Sequence, residues 1–153
     1  MDIILSEIGT VYSSRKDIFD DNWDLEDSYI ELSHSFSEQS LFGLEDFSHV
    51  EIIFYMDKVK TEKIIKDARH PRNREDWPKV GIFSQRGKNR PNQLGLTISR
   101  IKKVDGNKLY LEGFDAIDGT KVLDIKPWVK EFAPRGKQKQ PSWISELMAN
   151  YWE

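Results

Sequence analysis

The chain is organised around the segment Gly81–Leu96, whose sequence is GIFSQRGKNRPNQLGL. Val80, Ile82 and Phe83 are suited to the end of a buried strand, and an apolar run begins again at Leu94. The segment therefore predicts a strand, a loop and a second strand. Between them, Gln85–Gln93 carries two arginines, one lysine, two asparagines and two glutamines, and its one apolar group is a proline ring.

This polar loop has two interpretations. An arginine offers a planar fork of five donors, and an asparagine offers both a donor and an acceptor. The loop could therefore form the preorganised wall of a pocket for a nucleotide, a carboxylate or a phosphate. It could equally be the solvated, charged tip of a hairpin, and composition alone does not decide between the two.

A second segment, Asp115–Pro127, has the sequence DAIDGTKVLDIKP. Its Asp-Gly-Thr triplet is typical of a turn, and Val122–Ile125 predicts a short strand that ends before Pro127. Asp124 and Lys126 are two residues apart, so on a strand they share one face. From spacing alone, a local ion pair is the simplest interpretation of these two residues.

The two segments, in this order, resemble the signatures of the TsaA-like, or TrmO, family. Gly43–His49, with the sequence GLEDFSH, resembles a third family segment. The resemblance covers about residues 8–129. It implies a small β-barrel that binds S-adenosylmethionine, usually as a homodimer. It also implies methylation of tRNA at the adenine N6 of threonylcarbamoyl-adenosine, beside the anticodon.

The resemblance also assigns residues to roles. Arg90 and Asn92 match signature positions that would bind substrate. Asp124 is the candidate for steering the proton that the acceptor amine loses, with Lys126 as its partner. The positions that match cofactor contacts are His49, Val50, Arg86, Leu96, Ile117, Asp118, Gly119 and Thr120.

The chemistry of methyl transfer is compatible with these residue types, because catalysis of an in-line displacement consists mostly of positioning and charge stabilisation. Arg86 could bind the carboxylate of the cofactor, and Asp118 could bind its ribose hydroxyls. Gly119 would let the main chain approach the ligand closely.

Three features depart from the family pattern. Residues 84–88 differ from the usual Ala-Thr-Arg-Ser-Pro, and Lys121 stands where many members have proline. The early loop lacks the Pro-Arg-Gln segment that some members have. Phe19 or Trp23 of this acidic loop could cover a cationic ligand, or the loop could simply be solvated. We also expect no additional C-terminal domain, which leaves the methyl acceptor open. A non-catalytic module that senses a nucleotide or binds a protein, or a small-molecule methyltransferase, remain alternatives.

Length and composition predict a single compact domain, since the chain has 153 residues, of which 38% are apolar and 12% aromatic. We expect a cytoplasmic protein, because there is no membrane-length apolar run, no secretory leader and no cysteine. The three histidines, His34, His49 and His70, lack the spacing of metal ligands, so no metal site is expected.

Charge is segregated along the chain. Residues 1–56 contain 13 acidic and 2 basic side chains, whereas residues 57–153 contain 13 acidic and 21 basic ones. This asymmetry favours a surface in the second part of the chain that faces a polyanion such as tRNA, unless the fold mixes the charges in space.

Hydrophobic alternation and turn residues predict a mainly β protein, with one antiparallel barrel-like domain over residues 1–133. We expect a bulge at Gly9, a loop over residues 13–27 and a hairpin turn at Asp105–Asn107. The predicted strands are Ile3–Tyr12, Tyr29–Phe36, His49–Met56, Leu94–Val104, Leu109–Gly113 and Val122–Ile125.

Two helices are also expected. Ser37 would cap a short helix over Glu38–Gly43. Residues 134–153 would form a basic linker and a C-terminal helix capped by Ser142. The helical spacing of Ile144, Leu147, Met148 and Tyr151 predicts that this helix packs on the same domain or on a dimer partner.

Overall fold

The computed structural model describes all residues, Met1–Glu153, and contains a closed six-stranded antiparallel barrel. The strands are β1 Gly9–Ser13, β2 Asp27–Leu32, β3 His49–Tyr55, β4 Ala68–Arg69, β5 Val80–Gly81, β6 Leu94–Asp105, β7 Lys108–Glu112 and β8 Lys121–Pro127. The order of the barrel strands is β1-β2-β7-β6-β3-β8, and β8 closes the barrel by pairing with β1. A separate two-stranded sheet is formed by β4 and β5. The prediction of a mainly β, barrel-like fold with few short helices is therefore confirmed.

Alternation of side chains places the core inside the barrel. In β3, Val50, Ile52 and Phe54 are buried, while the residues between them are more exposed. Phe54 packs edge-on against Phe114, with ring centroids 5.5 Å apart. A run of apolar residues at every second position buries one face of a strand, so β3 contributes one wall of the core.

The long strand β6 pairs with two neighbours in succession. Its first part pairs with β3, and its second part pairs with β7 through the tight turn after Asp105. The register between β6 and β7 shifts at Ile101–Lys103, which marks a bulge. The predicted strand Leu94–Val104 and the hairpin that follows it are thus confirmed.

The start of the first strand differs from the prediction. β1 begins at Gly9, and Ile3, Ile4 and Leu5 lie exposed outside the sheet because no neighbouring strand pairs with them. Gly9 itself is not a bulge, since it pairs in regular register with Leu32. A β-carbon at this position would lie 2.7 Å from the carbonyl oxygen of Glu31, so a close main-chain approach explains the glycine.

Three further predictions were too long. β2 ends at Leu32 rather than Phe36, because the chain turns where the amide of Phe36 donates to the carbonyl of Ser33. The expected helix after Ser37 is a 3₁₀ helix over Glu38–Leu41, and the Ser37 side chain does not cap it. In the central segment, β5 has only two residues, and a 3₁₀ turn follows that leaves Phe83 79% exposed.

The C-terminal segment returns to the barrel and packs on it. Helix α1, Ser142–Leu147, follows Pro141 at its N-cap position, so the expected Ser142 cap is wrong. The indole Nε1 of Trp77 donates to Glu146 at 2.8 Å. Beyond α1, the amides of residues 22–24 donate to the carbonyls of residues 150–152 over 2.7–3.0 Å. None of the helices is long or apolar enough to span a lipid bilayer.

Candidate functional site

Three adjacent strands, β8, β3 and β6, share one outward face. Residues that lie directly opposite each other in an antiparallel pair point to the same side of the sheet, about 5 Å apart. The register therefore arranges this outer face in cross-strand rows. The rows are Lys121, Tyr55 and Leu94; Asp124, Ile53 and Leu96; and Lys126, Glu51 and Ile98.

An ion pair lies on the β8 side of the outer face. The Nζ atom of Lys126 is 2.9 Å from Oδ2 of Asp124, and Oδ1 of Asp124 accepts a hydrogen bond from the amide of Ile125. The hydrogen bond to Asp124 raises the pKa of the Lys126 ammonium. Lys126 is therefore protonated at neutral pH and is suited to holding negative charge, not to accepting a proton.

The β6 side of the outer face is apolar. Tyr55, Leu94, Leu96 and Ile98 are between 37% and 47% exposed. Together with the ion pair, these side chains form a surface that combines apolar area with one carboxylate and one ammonium group.

Arg86 reaches the same surface from the central loop. Its Nη2 atom donates to the carbonyl oxygen of Leu96 at 2.7 Å, which places the guanidinium at the β6 edge of the outer face. Arg86 forms no ion pair, so its other N–H groups are available to an anion.

Several other polar side chains of the loop Gln85–Gln93 donate hydrogen bonds to main-chain carbonyls and so stabilise the loop conformation. Gln85 is buried and donates to the carbonyls of Arg69 and Val80. Gln93 is buried as well and donates to the carbonyls of Met56 and Val59. Arg90 Nη1 donates to the carbonyl of Gln85 at 2.6 Å, so this candidate substrate residue is partly committed to the loop.

Asn92 differs from these neighbours. Its backbone has φ of 62°, and its side chain is exposed. Asparagine tolerates this left-handed conformation better than most residues do. Of the two candidate substrate residues, Asn92 therefore presents the freer side chain.

The turn Ile117–Thr120 is fastened to the end of β1. Oδ1 of Asp118 accepts a hydrogen bond from the amide of Ser13 at 2.9 Å, and Oδ2 lies 2.9 Å from Nζ of Lys16. The Ser13 amide, and then Lys16, hold the pKa of Asp118 below its ordinary value. Both carboxylate oxygens thus already stabilise the turn.

The two residues after Asp118 complete the turn. Gly119 has φ of 84°, a conformation that favours glycine, and there is open space where a β-carbon would be. Thr120 is buried and donates through Oγ1 to the carbonyl of Ile117 at 2.7 Å. Gly119 consequently exposes main chain, whereas Thr120 is used internally.

His49 and Val50 are set apart from the other candidates. His49 begins β3 and precedes Ile53 by four residues, so it lies roughly 13 Å along the strand from the row that contains Leu96. The Val50 side chain is fully buried in the core, so only its main chain could contact a ligand. One chain therefore brings together Arg86, Leu96 and the ion pair, but it does not place His49 beside them.

Sequence reasoning missed a partly buried polar cluster next to the outer face. The Tyr151 hydroxyl donates to the Asp115 carboxylate, which also accepts a hydrogen bond from Thr97, the neighbour of Leu96. Burial and the adjacent Asp115 raise the pKa of Tyr151. The helical spacing assigned Tyr151 to packing alone, and nothing in that pattern indicates a hydroxyl partner 36 residues away.

Arg15 was missed as well, although it lies in the acidic loop that could have covered a ligand. Its side chain is 8% exposed and pairs with Glu26 at 2.9 Å. Its guanidinium also lies 3.9 Å from the centroid of the Trp23 ring. The cation that Trp23 covers is therefore a residue of the same loop.

Comparison with known proteins agrees with this architecture. The protein-family model that describes the tRNA-methyltransferase O N-terminal domain matches residues 8–133 of this chain. The chain belongs to the TrmO family. A crystal structure of TrmO from Pseudomonas aeruginosa superposes with a TM-score of 0.74 at 26% identity, covering 92% of this chain and 61% of that one.

Some relatives of this TrmO-family chain are named as methyltransferases, and others are named as S-adenosylmethionine-binding proteins. A mouse tRNA (adenine(37)-N6)-methyltransferase is 45% identical over 95 residues, which are 62% of this chain and 22% of the relative. A protein of Pyrococcus abyssi named a probable S-adenosyl-L-methionine-binding protein is 36% identical over 106 residues, 69% of this chain and 54% of that protein. The chain thus spans about a fifth of the mouse relative and about half of the archaeal one.

The structure contains no group of three or more histidine, aspartate or glutamate residues that could hold a metal ion.

Proposed function

We propose that this chain is an S-adenosylmethionine-dependent methyltransferase that acts on tRNA, at the adenine N6 of threonylcarbamoyl-adenosine beside the anticodon. Family membership and the names of the relatives support the class of reaction. The observation that carries the proposal is the outer face. There, Arg86 and Leu96 lie on one side of Ile53, and the carboxylate of Asp124 lies on the other.

The residues of the outer face suit this cofactor. S-adenosylmethionine supplies an electrophilic methyl group on a sulfonium. Arg86 would bind the carboxylate of the cofactor through its free N–H groups, and Leu96 would offer apolar contact to the adenine. The Gly119 carbonyl and the Ile117 amide would offer main-chain groups, because the Gly119 amide donates to Val11 and the Ile117 carbonyl accepts from Thr120. The Asp118 carboxylate is already engaged by Ser13 and Lys16.

The ion pair supplies the groups for the acceptor. Asp124 would accept the proton that the acceptor amine loses, and Lys126 would hold Asp124 in place or contact a phosphate. Asn92 and Arg90 would bind the substrate from the central loop. All of these groups lie on or beside the outer face or in the loop that carries Arg86.

A homodimer is part of the proposal. His49 lies too far along β3 to join Arg86 within one chain, whereas a second copy packed on the outer face could bring its own His49 and the main chain of Val50 to the site. The exposed apolar residues of β3 and β6 would be covered in such a dimer. We place this protein in the cytoplasm, where tRNA is available.

Calorimetric titration of the purified protein with S-adenosylmethionine and S-adenosylhomocysteine tests the cofactor site. We expect micromolar binding, about −8 kcal/mol. Arg86→Ala should weaken binding about tenfold or more, because it removes a charge-assisted hydrogen bond. Arg74→Ala, which removes an exposed arginine paired with Asp76, is the matched control. No heat and no thermal shift with either ligand would reject the cofactor.

Methyl transfer is tested separately, with labelled S-adenosylmethionine and tRNA from cells that lack this protein. Label should enter the tRNA, and Asp124→Asn should slow its incorporation about a hundredfold, in the range of a lost general base. Transfer to a small molecule instead of RNA would identify a small-molecule methyltransferase.

The second candidate function is a module that binds S-adenosylmethionine without catalysis. The name of the archaeal relative favours it, since that protein is described by binding alone. Tight binding with no transfer to RNA, protein or small molecules would establish this alternative and reject the enzyme.

A further inference from the structure

A cationic segment connects β8 to α1. We define the basic segment as residues 130–140, which contain four cations and one acid, Glu131. Residues 134–140 are exposed throughout. The cations are Lys130, Arg135, Lys137 and Lys139, and none of them forms an ion pair.

Both ends of the basic segment are fixed to the folded protein. Before it, the amide of Trp128 donates to the carbonyl of His49 at 3.0 Å. After it, Gln140 Nε2 donates to Ser145 Oγ at 2.9 Å, and α1 is held by the hydrogen bond between Glu146 and Trp77. The segment is therefore held next to the start of β3 and the end of β8, which contribute to the outer face.

The exposed part of the segment curves around a polar concavity. Gly136 turns the chain with φ of 81°. The concavity has a volume of about 550 Å³ and no apolar lining. It is lined by Pro134, Arg135, Lys137, Gln138, Lys139 and Gln140. Cations and amide donors around a concave surface are suited to phosphate oxygens.

An exposed aromatic ring adjoins these cations. Phe132 ends the 3₁₀ turn Lys130–Phe132 and is 80% exposed. Cations that track a backbone, combined with an aromatic ring on which a base stacks, are the usual elements of a surface for single-stranded nucleic acid. A lipid surface fits less well, because the segment has no row of apolar side chains to enter a bilayer.

We propose that the basic segment binds the phosphate backbone of a single-stranded RNA loop, with Phe132 stacking on one of its bases. The proposal rests on the proposed function and deepens it by naming the part of the chain that holds the RNA. The first 56 residues are strongly acidic, so a polyanion must be bound by a local group of unpaired cations such as this one.

Fluorescence anisotropy with a labelled RNA stem–loop, measured over about 50 to 200 mM salt, tests the proposal. The triple variant Arg135→Ala/Lys137→Ala/Lys139→Ala should lose about tenfold to a hundredfold in affinity, and the salt slope should fall by about 2, as expected for lost phosphate contacts. Phe132→Ala should lose about tenfold with little change in slope, whereas Phe132→Tyr should retain binding.

The control variant is Lys60→Ala/Lys63→Ala/Lys66→Ala, which removes three exposed, unpaired cations from another loop. It should bind RNA within about twofold of the wild type. An equal loss in this control would show that net charge alone matters, and would overturn the proposal. Binding of anionic lipid vesicles in preference to the RNA, or no RNA binding by the wild type, would overturn it too.

Calorimetry with S-adenosylmethionine separates this inference from the proposed function. The triple variant of the basic segment should bind the cofactor as the wild type does. If the wild type binds the cofactor and the triple variant binds RNA normally, the inference about the segment fails and the cofactor site stands. If the wild type binds no cofactor, the proposed function fails whatever the RNA measurements show.

Discussion

Arg15 organises the acidic loop between β1 and β2 as a single buried cation. Its guanidinium donates to the carbonyls of Phe19, Asp21 and Asn22 over 2.8–3.2 Å and pairs with Glu26. These main-chain acceptors have few alternatives once the loop is folded. The loop conformation therefore depends on one side chain that is nearly enclosed by its own acceptors.

Replacing Arg15 should destabilise the protein strongly. Arg15→Ala should lower the free energy of unfolding by about 3 kcal/mol, because it leaves Glu26 and several carbonyls without their partner. Arg15→Lys should recover less than half of this loss, since an ammonium lacks the planar fork. Urea denaturation measures both, with the exposed, unpaired Arg135→Ala as the control. A loss below about 1 kcal/mol in Arg15→Ala would contradict the role assigned to Arg15.

Asp118 couples stability to pH. Its pKa is lowered in the folded state by the Ser13 amide and by Lys16, so the unfolded chain binds the proton more readily. The stabilisation is therefore complete above the ordinary carboxyl pKa, near 4, and is lost as the pH falls through the lowered value. Asp118→Asn should lower the free energy of unfolding at neutral pH by about 1 kcal/mol.

The difference between the wild type and Asp118→Asn should shrink towards zero as the pH falls through the lowered pKa of Asp118, because the aspartate then becomes neutral too. Denaturation at neutral pH and at a series of successively lower pH values provides the comparison. Asp2→Asn, at an exposed terminal position without an ion pair, should show no such change. A difference that stays constant over this range would show that Asp118 contributes by shape and not by charge.

At the level of elements, the C-terminal segment is joined to the barrel by more than apolar contact. Main-chain hydrogen bonds connect it to residues 22–24, and Tyr151 reaches Asp115 in the turn before β8. Asp115 in turn accepts from Thr97 of β6. The end of the chain thereby supports the strand that carries Leu96.

Tyr151→Phe should lower the free energy of unfolding by about 1 to 2 kcal/mol, because the Asp115 carboxylate loses a donor in a partly buried position. Tyr110→Phe is the matched control. Its ring packs against Tyr29 with centroids 5.1 Å apart, and its hydroxyl has no hydrogen-bond partner in the protein, so it should change stability by less than about 0.5 kcal/mol. Equal effects in the two variants would mean that the Asp115 hydrogen bond contributes nothing.

For the whole molecule, the proposed dimer makes the outer face an interface. Ile98 is 47% exposed and lies in the row next to that of Leu96. Ile98→Lys would put a charged ammonium in the interface in place of an apolar side chain and should weaken dimerisation about a hundredfold or more. Leu25→Lys, at an exposed leucine outside the outer face, should leave the dimer intact.

Light scattering over a range of protein concentrations measures this directly. The wild type should have the mass of a dimer at concentrations where Ile98→Lys is monomeric. A wild type that is monomeric at every concentration would rule out a site shared between two copies, and His49 would then have no part in binding the cofactor.

Much of the architecture follows from local sequence. The period-two alternation of β3, the Asp-Gly-Asn turn between β6 and β7 and the Asp-Gly-Thr turn before β8 predict a mainly antiparallel β protein, because such patterns act over a few residues. The same local spacing places Asp124 and Lys126 on one face, where the structure shows their ion pair. The family signatures are local as well, and the match to the family model over residues 8–133 confirms the family that they indicate.

Tertiary structure decided which polar groups are free and which are already bonded. Pairing of β1 with β2 brings Gly9 against the main chain of Glu31, and it leaves Ile3–Leu5 outside the sheet. The fold also turns Gln85 and Gln93 inward, engages Asp118 with Ser13 and joins Tyr151 to Asp115. The partners of Asp118 and Tyr151 lie 105 and 36 residues away in sequence, so no local pattern encodes these bonds. Residue types and spacing determined the kind of fold and the family, whereas long-range packing selected the side chains left available to a ligand.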